Sequence, residues 1–269
     1  GLICFLIGGS MQWSGNTIPF YISIITFLLT CFMIPALPGS FNEVRGNGEL
    51  FPLNGPMWSL FFEYIGNILY ALFIRRLSTK LLTLLVILLG ILHSIFTIGN
   101  LSGYGNLGVG WTFDTINFCG GMLRMLFPFT LGMLISRCFK AIKLPYPFFL
   151  SSILLIATLS VPYLPAFKAI NLNGIYESLC IIAIFPIILT IGASSQEKSK
   201  LSQTLGELSY PLYIIHYPIM YLFYQWLIKT KQYTLSETYP VAILVVLLSV
   251  ILAFTLSRLY DKPIRKRLH

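Results

Sequence analysis

Charge is scarce in this sequence, and negative charge scarcest of all. Asp and Glu number 9 against 18 Lys and Arg, and charged residues make up 10% of the chain, where a soluble domain carries about 25%. That excludes an ordinary water-covered surface. The five cysteines, Cys4, Cys31, Cys119, Cys138 and Cys180, show no paired or metal-ligand spacing. They sit in or beside apolar segments, where free Cys behaves as a small hydrophobe. No G-x-S-x-G, Walker loop or H-E-x-x-H occurs, so the common hydrolase, nucleotide and zinc signatures are absent. The opening lacks Met, a basic n-region and a cleavage site. It does not read as a signal peptide, and residues 1–10 read as a helix entered partway.

What fills the chain is apolar: 56% hydrophobic residues and a mean hydropathy of +0.80 over 269 residues. Runs near the ~20 residues that a bilayer requires lie at 18–37, 58–74, 81–98, 118–138, 148–162, 175–193, 209–228 and 239–259. The expected fold is all-α: a polytopic transmembrane helix bundle of about eight spans plus a partial one at the N-terminus. No repeat, linker or soluble segment divides it, so residues 1–269 are read as one membrane domain, with the lipid bilayer as partner. The net charge of +9 is scattered between apolar runs and follows positive-inside bias; no nucleic-acid partner is expected.

Basic residues alternate between loops. Arg75, Arg76 and Lys80 share one loop, and 101–117 has no Lys or Arg. Arg137, Lys140 and Lys143 follow, then Lys168 alone, Lys198 with Lys200, and a basic C-terminus from Lys262 to Arg267. The richer loops belong in the cytoplasm, which puts the C-terminus there and the polar loop 38–56 outside. Lys229 and Lys231 break the pattern.

Few ionisable residues fall inside the expected spans, and those away from the basic span ends are Glu63, His93, Arg124, Glu177 and His216. An ionisable group at that depth is costly and is a functional-site hypothesis by default. Glu63 lies about 7–8 Å from the outer end of its helix and Arg124 about 10 Å deep in its own. Their opposite charges predict an ion pair, serving either chemistry or a staple between helices. Ser209, Tyr213 and His216 recur at helical spacing and share one polar face, with Pro218 two residues on to free a backbone carbonyl. The plainer reading of His216 is a satisfied helix histidine. His93 has apolar neighbours and no polar face, Glu177 reads as a cap-region carboxylate at the interface, and nothing points to a role for His269.

Two stretches carry a family resemblance. N-G-P-M-W-S-L-F-F-E, residues 54–63, resembles the P-x-W-S-L-x-x-E segment of the acyltransferase 3 family of bacterial membrane O-acyltransferases. L-G-E-L-S-Y-P-L-Y-I-I-H-Y-P, residues 205–218, is similar to that family's late L-G-x-x-S-Y-x-x-Y-x-x-H-x-P helix. Weaker echoes are G-G-M-L-R-M-L-F-P-F-T-L-G-M at 120–133 and the closing Y-D-K-P-I-R-K-R-L. The resemblance implies transfer of an acyl group, usually acetyl, from acyl-CoA to a hydroxyl of an envelope or exported carbohydrate or glycolipid. It implies a multi-pass protein of the bacterial cytoplasmic membrane, with acyl-CoA as donor substrate and no bound cofactor or metal. Trp58, Ser59 and Glu63 match the first motif; Ser209, Tyr210, Tyr213, His216 and Pro218 match the second. Glu63, His216 and Arg124 are the expected catalytic residues, with Trp58, Ser59, Ser209, Tyr210 and Tyr213 binding substrate. The family's opening helix, with its Arg and its proposed catalytic His, and the Arg-rich loop after it have no counterpart here. This chain is therefore expected to lack the first helices and not to catalyse transfer alone. From another class, a transporter or flippase with a buried Glu, Arg and His path also fits the intramembrane charges.

Overall fold

The computed structural model describes residues 1–168, 170–195, 200–231 and 233–268; Lys198 and His269 lie outside them. Every apolar run expected to span forms a helix, and among the described residues there is no strand, only isolated bridges. The helices are α1 (Leu2–Ile7), α2 (Phe20–Cys31), α3 (Met57–Leu72), α4 (Thr79–Ile98), α5 (Thr115–Cys138) and α6 (Pro147–Leu159), followed by α7 (Leu172–Leu179), α8 (Phe185–Ala193), α9 (Lys200–Thr230), α10 (Leu235–Leu256) and α11 (Lys262–Leu268). A π-helical turn, Cys180–Ile184, joins α7 to α8, and another, Ser257–Asp261, joins α10 to α11. The helix starts follow local chemistry. Ser78, Asp114 and Asn171 cap α4, α5 and α7 by accepting backbone N–H bonds from Leu81, Asn117 and Gly174, the usual role of a short polar side chain there.

Among the described residues, four helical stretches are long and apolar enough to cross a membrane: Thr79–Ile98, Thr115–Cys138, Leu172–Ala193 and Leu235–Arg267. The other expected spans are shorter or more polar. α2, α3 and α6 have 12, 16 and 13 residues, below the ~17 that spanning asks for. α9 has 31 residues but a polar beginning and two internal prolines, Pro211 and Pro218.

The chain forms two compact units. The first comprises Gly1–Trp58, Trp111–Phe113 and Lys198–His269; the second comprises Ser59–Gly110 and Asp114–Glu197. In the first, Phe5, Val44 and Leu53 form a core with Leu2, Ile18 and Ile22 around them. The stretch 38–56, expected as a polar loop, is a loop, and much of it is buried. Asn42, Val44, Arg45, Leu50, Phe51, Leu53 and Asn54 are all buried. Its backbone is held at both ends, with Ala36 N–H donating to Leu50 O at 2.7 Å and Leu50 N–H to Trp111 O at 2.8 Å. Glu43 accepts from the N–H groups of Gly39 and Gly48. A loop with its polar groups paired this way can be buried; an unpaired one cannot.

In the second unit, Leu82, Val86 and Leu89 of α4 pack with Phe127 of α5 and Ile74. Close approach elsewhere depends on the glycine pair in α5. A β-carbon on Gly120 would lie 2.5 Å from Val109, and one on Gly121 2.5 Å from the Phe62 ring of α3. Small residues at helix contacts are what allow tight packing where lipid supplies no hydrophobic drive. Gly121→Ala therefore gains about 1 kcal/mol of helix propensity and loses about 1–3 kcal/mol to overpacking. A lowered melting temperature in detergent is expected, recovered in part by Phe62→Leu in the same chain. An unchanged or raised melting temperature would show that this contact does not limit α5.

Candidate functional site

The two motifs of the sequence reading meet at one turn of the first unit. Asn54 N–H donates to Phe51 O at 2.8 Å and Met57 N–H to Asn54 O at 3.0 Å, which folds N-G-P into the start of α3. The Asn54 side chain then reaches α9, where Nδ2 donates to the Ile214 carbonyl at 3.1 Å. That carbonyl is available because Pro218, four residues on, has no N–H to give it. Tyr213 Oη donates to the Pro56 carbonyl at 3.1 Å. Gly55 fits between them only as glycine, since a β-carbon would stand 2.7 Å from Tyr221 Oη and 2.8 Å from the Tyr217 ring. The closing motif joins as well, through an exposed ion pair of 2.6 Å between Glu207 and Lys262. Lys262 holds the Glu207 carboxyl below its ordinary range.

His216 is half-buried between Tyr213 and Tyr217, at ring separations of 6.1 and 5.6 Å. Its Nδ1 lies 3.0 Å from the Leu212 carbonyl. A carbonyl only accepts, so this bond requires the Nδ1–H tautomer and leaves the Nε2 lone pair free in the neutral ring. Of the polar face expected on this helix, Tyr213 and His216 come together. Ser209 is exposed and turns its hydroxyl back to Gly206 O at 2.8 Å, and Tyr210 is exposed.

Below this turn lies a cluster the sequence reading missed. Arg45 is 1% exposed, with its guanidinium 4.7 Å from the Phe5 ring centre, 5.0 Å from Trp13 and 4.4 Å from Tyr221. Its Nε donates to Pro52 O at 3.2 Å. Three π faces stabilise a desolvated cation where a carboxylate is not in contact. Tyr221 Oη donates to Glu49 Oε2, and Asn47 Nδ2 donates to Glu49 Oε1 at 2.8 Å. Burial pushes the Glu49 carboxyl above its ordinary value of 4.5, against the pull of these two hydrogen bonds and of Arg45. Burial likewise lowers Arg45. The only signal in the sequence was a paired charge, Arg45 and Glu49, inside a glycine-rich loop too apolar at its end to be solvated.

In the second unit the expected ion pair between Glu63 and Arg124 is not formed. Phe62 takes the face of α3 that meets α5: it is fully buried and packs on Phe118 at 5.7 Å. One residue further is 100° around a helix, so Glu63 is exposed, and its recorded bond is its backbone carbonyl accepting from Asn67 at 2.9 Å. Arg124 instead donates from Nη1 to the Val109 carbonyl. Trp58 and Ser59 stand half-buried in the first turn of α3. Glu177 is not a cap, since Asn171 fills that role. Its carboxylate accepts from Leu107 N–H at 2.8 Å and Asn173 Nδ2 at 3.1 Å, pinning the 99–110 loop. His93 is buried against Phe127 at 5.5 Å. Among the described residues no group of His, Cys, Asp and Glu converges as a metal site.

A family model described as an acyltransferase domain matches residues 1–258. The chain belongs to this acyltransferase 3 family; it is a membrane acyltransferase, and not one that transfers aminoacyl groups. No curated protein and no solved structure matches it.

Two measurements check the geometry. Asn54→Ala leaves the Ile214 carbonyl unpaired and should cost about 1–3 kcal/mol. In a Pro218→Ala background the restored N–H serves that carbonyl, so the same change should cost clearly less. Equal costs in both backgrounds would separate Asn54 from Pro218. Glu49 gives a pH signature. Its folded-state pKa lies above the unfolded one, so its contribution is full below about 4.5 and is lost as pH rises through the folded value. Melting temperatures across this window should fall for the native chain, fall more steeply for Tyr221→Phe, and stay flatter for Glu49→Gln. Parallel curves for all three chains would place Glu49 in water.

Proposed function

We propose that this protein transfers an acyl group, acetyl in the simplest case, from acyl-CoA to a hydroxyl of an envelope or exported carbohydrate. The observation that carries the reading is the union of the family's two motifs at the Asn54–Pro56 turn, with His216 beside it. The acceptor hydroxyl gives its proton to His216 Nε2 as its oxygen attacks the thioester carbonyl. The C–S bond then breaks, and the CoA sulfur takes a proton on leaving. Glu63 of the first motif, exposed on α3, is the carboxylate that this reading assigns to the transfer. Tyr213 holds the turn in place. Trp58 and Ser59 in the first turn of α3, with Ser209 and Tyr210 exposed on α9, are the substrate-binding residues of this reading.

The charge alternation supports a cytoplasmic C-terminus and a place in the bacterial cytoplasmic membrane. In this reading the shorter helices complete about eight crossings, with irregular backbone tolerated where it is buried in protein. The full native protein in nanodiscs, given radiolabelled acetyl-CoA and envelope glycans, is expected to label the glycan. His216→Ala and Glu63→Ala should each lower turnover by about 10²–10⁴-fold, the usual worth of general acid–base catalysis, and His93→Leu should leave it unchanged. Solute uptake without an acyl donor, and no labelled glycan, would replace this reading with a transporter.

A further inference from the structure

We propose that the second unit carries a neutral-sugar subsite of its own in the cavity lined by Glu177 and Arg124, where a pyranose ring docks. This rests on the acyl-transfer reading above. The cavity measures about 300 Å³, at the lower end of the ~300–1,000 Å³ typical of small-molecule sites. Its polar lining is Arg124, Thr158, Asn173, Tyr176 and Glu177.

Glu177 and Asn173 are bonded to each other, as are Tyr176 and Thr158. Arg124 donates to Val109 O, so the lining combines carboxylate acceptors with a guanidinium donor. Each Glu177 oxygen takes one hydrogen bond, from Leu107 N–H or from Asn173, of the roughly four lone-pair sites a carboxylate offers. Tyr176 gives its proton to Thr158 O at 2.7 Å and has the Cys180 thiol as a neighbour. Asn173 Nδ2 is shared with Gly105 O at 3.1 Å. With one cation and one carboxylate in the lining, formal charge offsets, which suits a neutral ligand whose hydroxyls both donate and accept. The remaining wall, with Leu159, Val161, Ile181 and Phe185, is apolar and suits the C–H face of a pyranose.

The backbone is irregular at the same place. Pro186 cannot donate to the Ile182 carbonyl, and the helix widens into the π-helical turn Cys180–Ile184. The first two residues of that turn, Cys180 and Ile181, line the cavity. Single π turns inside helices occur often at functional sites.

The test uses the full native protein in nanodiscs, with its cysteines replaced by serine or alanine and Thr158→Cys added as a reporter. Maleimide labelling is followed with methyl glycosides of glucose, galactose and N-acetylglucosamine, with inorganic phosphate, with decanol, and with a glycosylated diacylglycerol in the bilayer. Saturable protection by at least one glycoside or by the glycolipid is expected; the arm that protects identifies a free or a lipid-linked source. Glu177→Gln should raise the half-protecting concentration about tenfold or more, as loss of a charge-assisted hydrogen bond does. Phe185→Leu, which leaves the polar network intact, should weaken protection as well. In the transfer assay Glu177→Gln and Tyr176→Phe should raise the acceptor KM and leave kcat and the donor KM unchanged. Protection by decanol or phosphate alone, or by nothing, would overturn the subsite, as would normal acceptor KM values in folded variants. Glycoside protection in a protein that transfers no acyl group would instead overturn the reaction and leave a sugar site.

Discussion

The hydrogen bond from Asn54 to the Ile214 carbonyl ties the two ends of the first unit together. It exists because Pro218 withdraws one N–H from a helix, and a helix in a low-dielectric setting cannot leave the freed carbonyl unpaired. The partner comes from the turn that starts α3, so the helix of the W-S-L motif is fixed by a defect in the helix of the S-Y-P motif. Gly55 then admits Tyr217 and Tyr221, and through Tyr221 the Arg45 and Glu49 charges are held beneath the turn. Proline and glycine, poor choices in helix and strand interiors, here create the openings into which polar groups fit.

The treatment of charge differs between the units. In the first, a cation is enclosed by rings and a carboxylate is held by a phenol and an amide. In the second, Arg124 is satisfied by a backbone carbonyl and Glu177 by a backbone N–H and an amide. Backbone groups and neutral side chains carry these contacts, and in the second unit the Arg124 and Glu177 charges line the cavity.

The helices were legible in the sequence because hydropathy at bilayer length is a local property. The motifs were legible for the same reason. Phase was not. Glu63 and Arg124 lie at comparable depth, but which of Phe62 and Glu63 faces α5 is decided by how closely Gly121 lets the helices approach. The burial of much of the loop 38–56 was not legible, because its polar residues are paired by partners distant in sequence. Arg45 is buried by Phe5, Trp13 and Tyr221, residues far apart in sequence, and no window of local composition carries that. The freed carbonyl was foreseeable from Pro218; its partner, 160 residues away, was not.

The first unit is assembled from both ends of the chain, and this imposes an order in time. During synthesis at about 5–20 residues per second, Asn54 waits roughly 8–30 s for Ile214 to be made. Through that interval the Arg45 guanidinium has no Tyr221 face to rest on, and the N-G-P turn has no helix to lean against. The second unit, contiguous apart from a three-residue gap, is complete before the first can close. A nascent chain halted after α8 would thus hold one finished unit and one open half, with a buried cation still in water. The quality-control machinery of the membrane would meet this protein in that state.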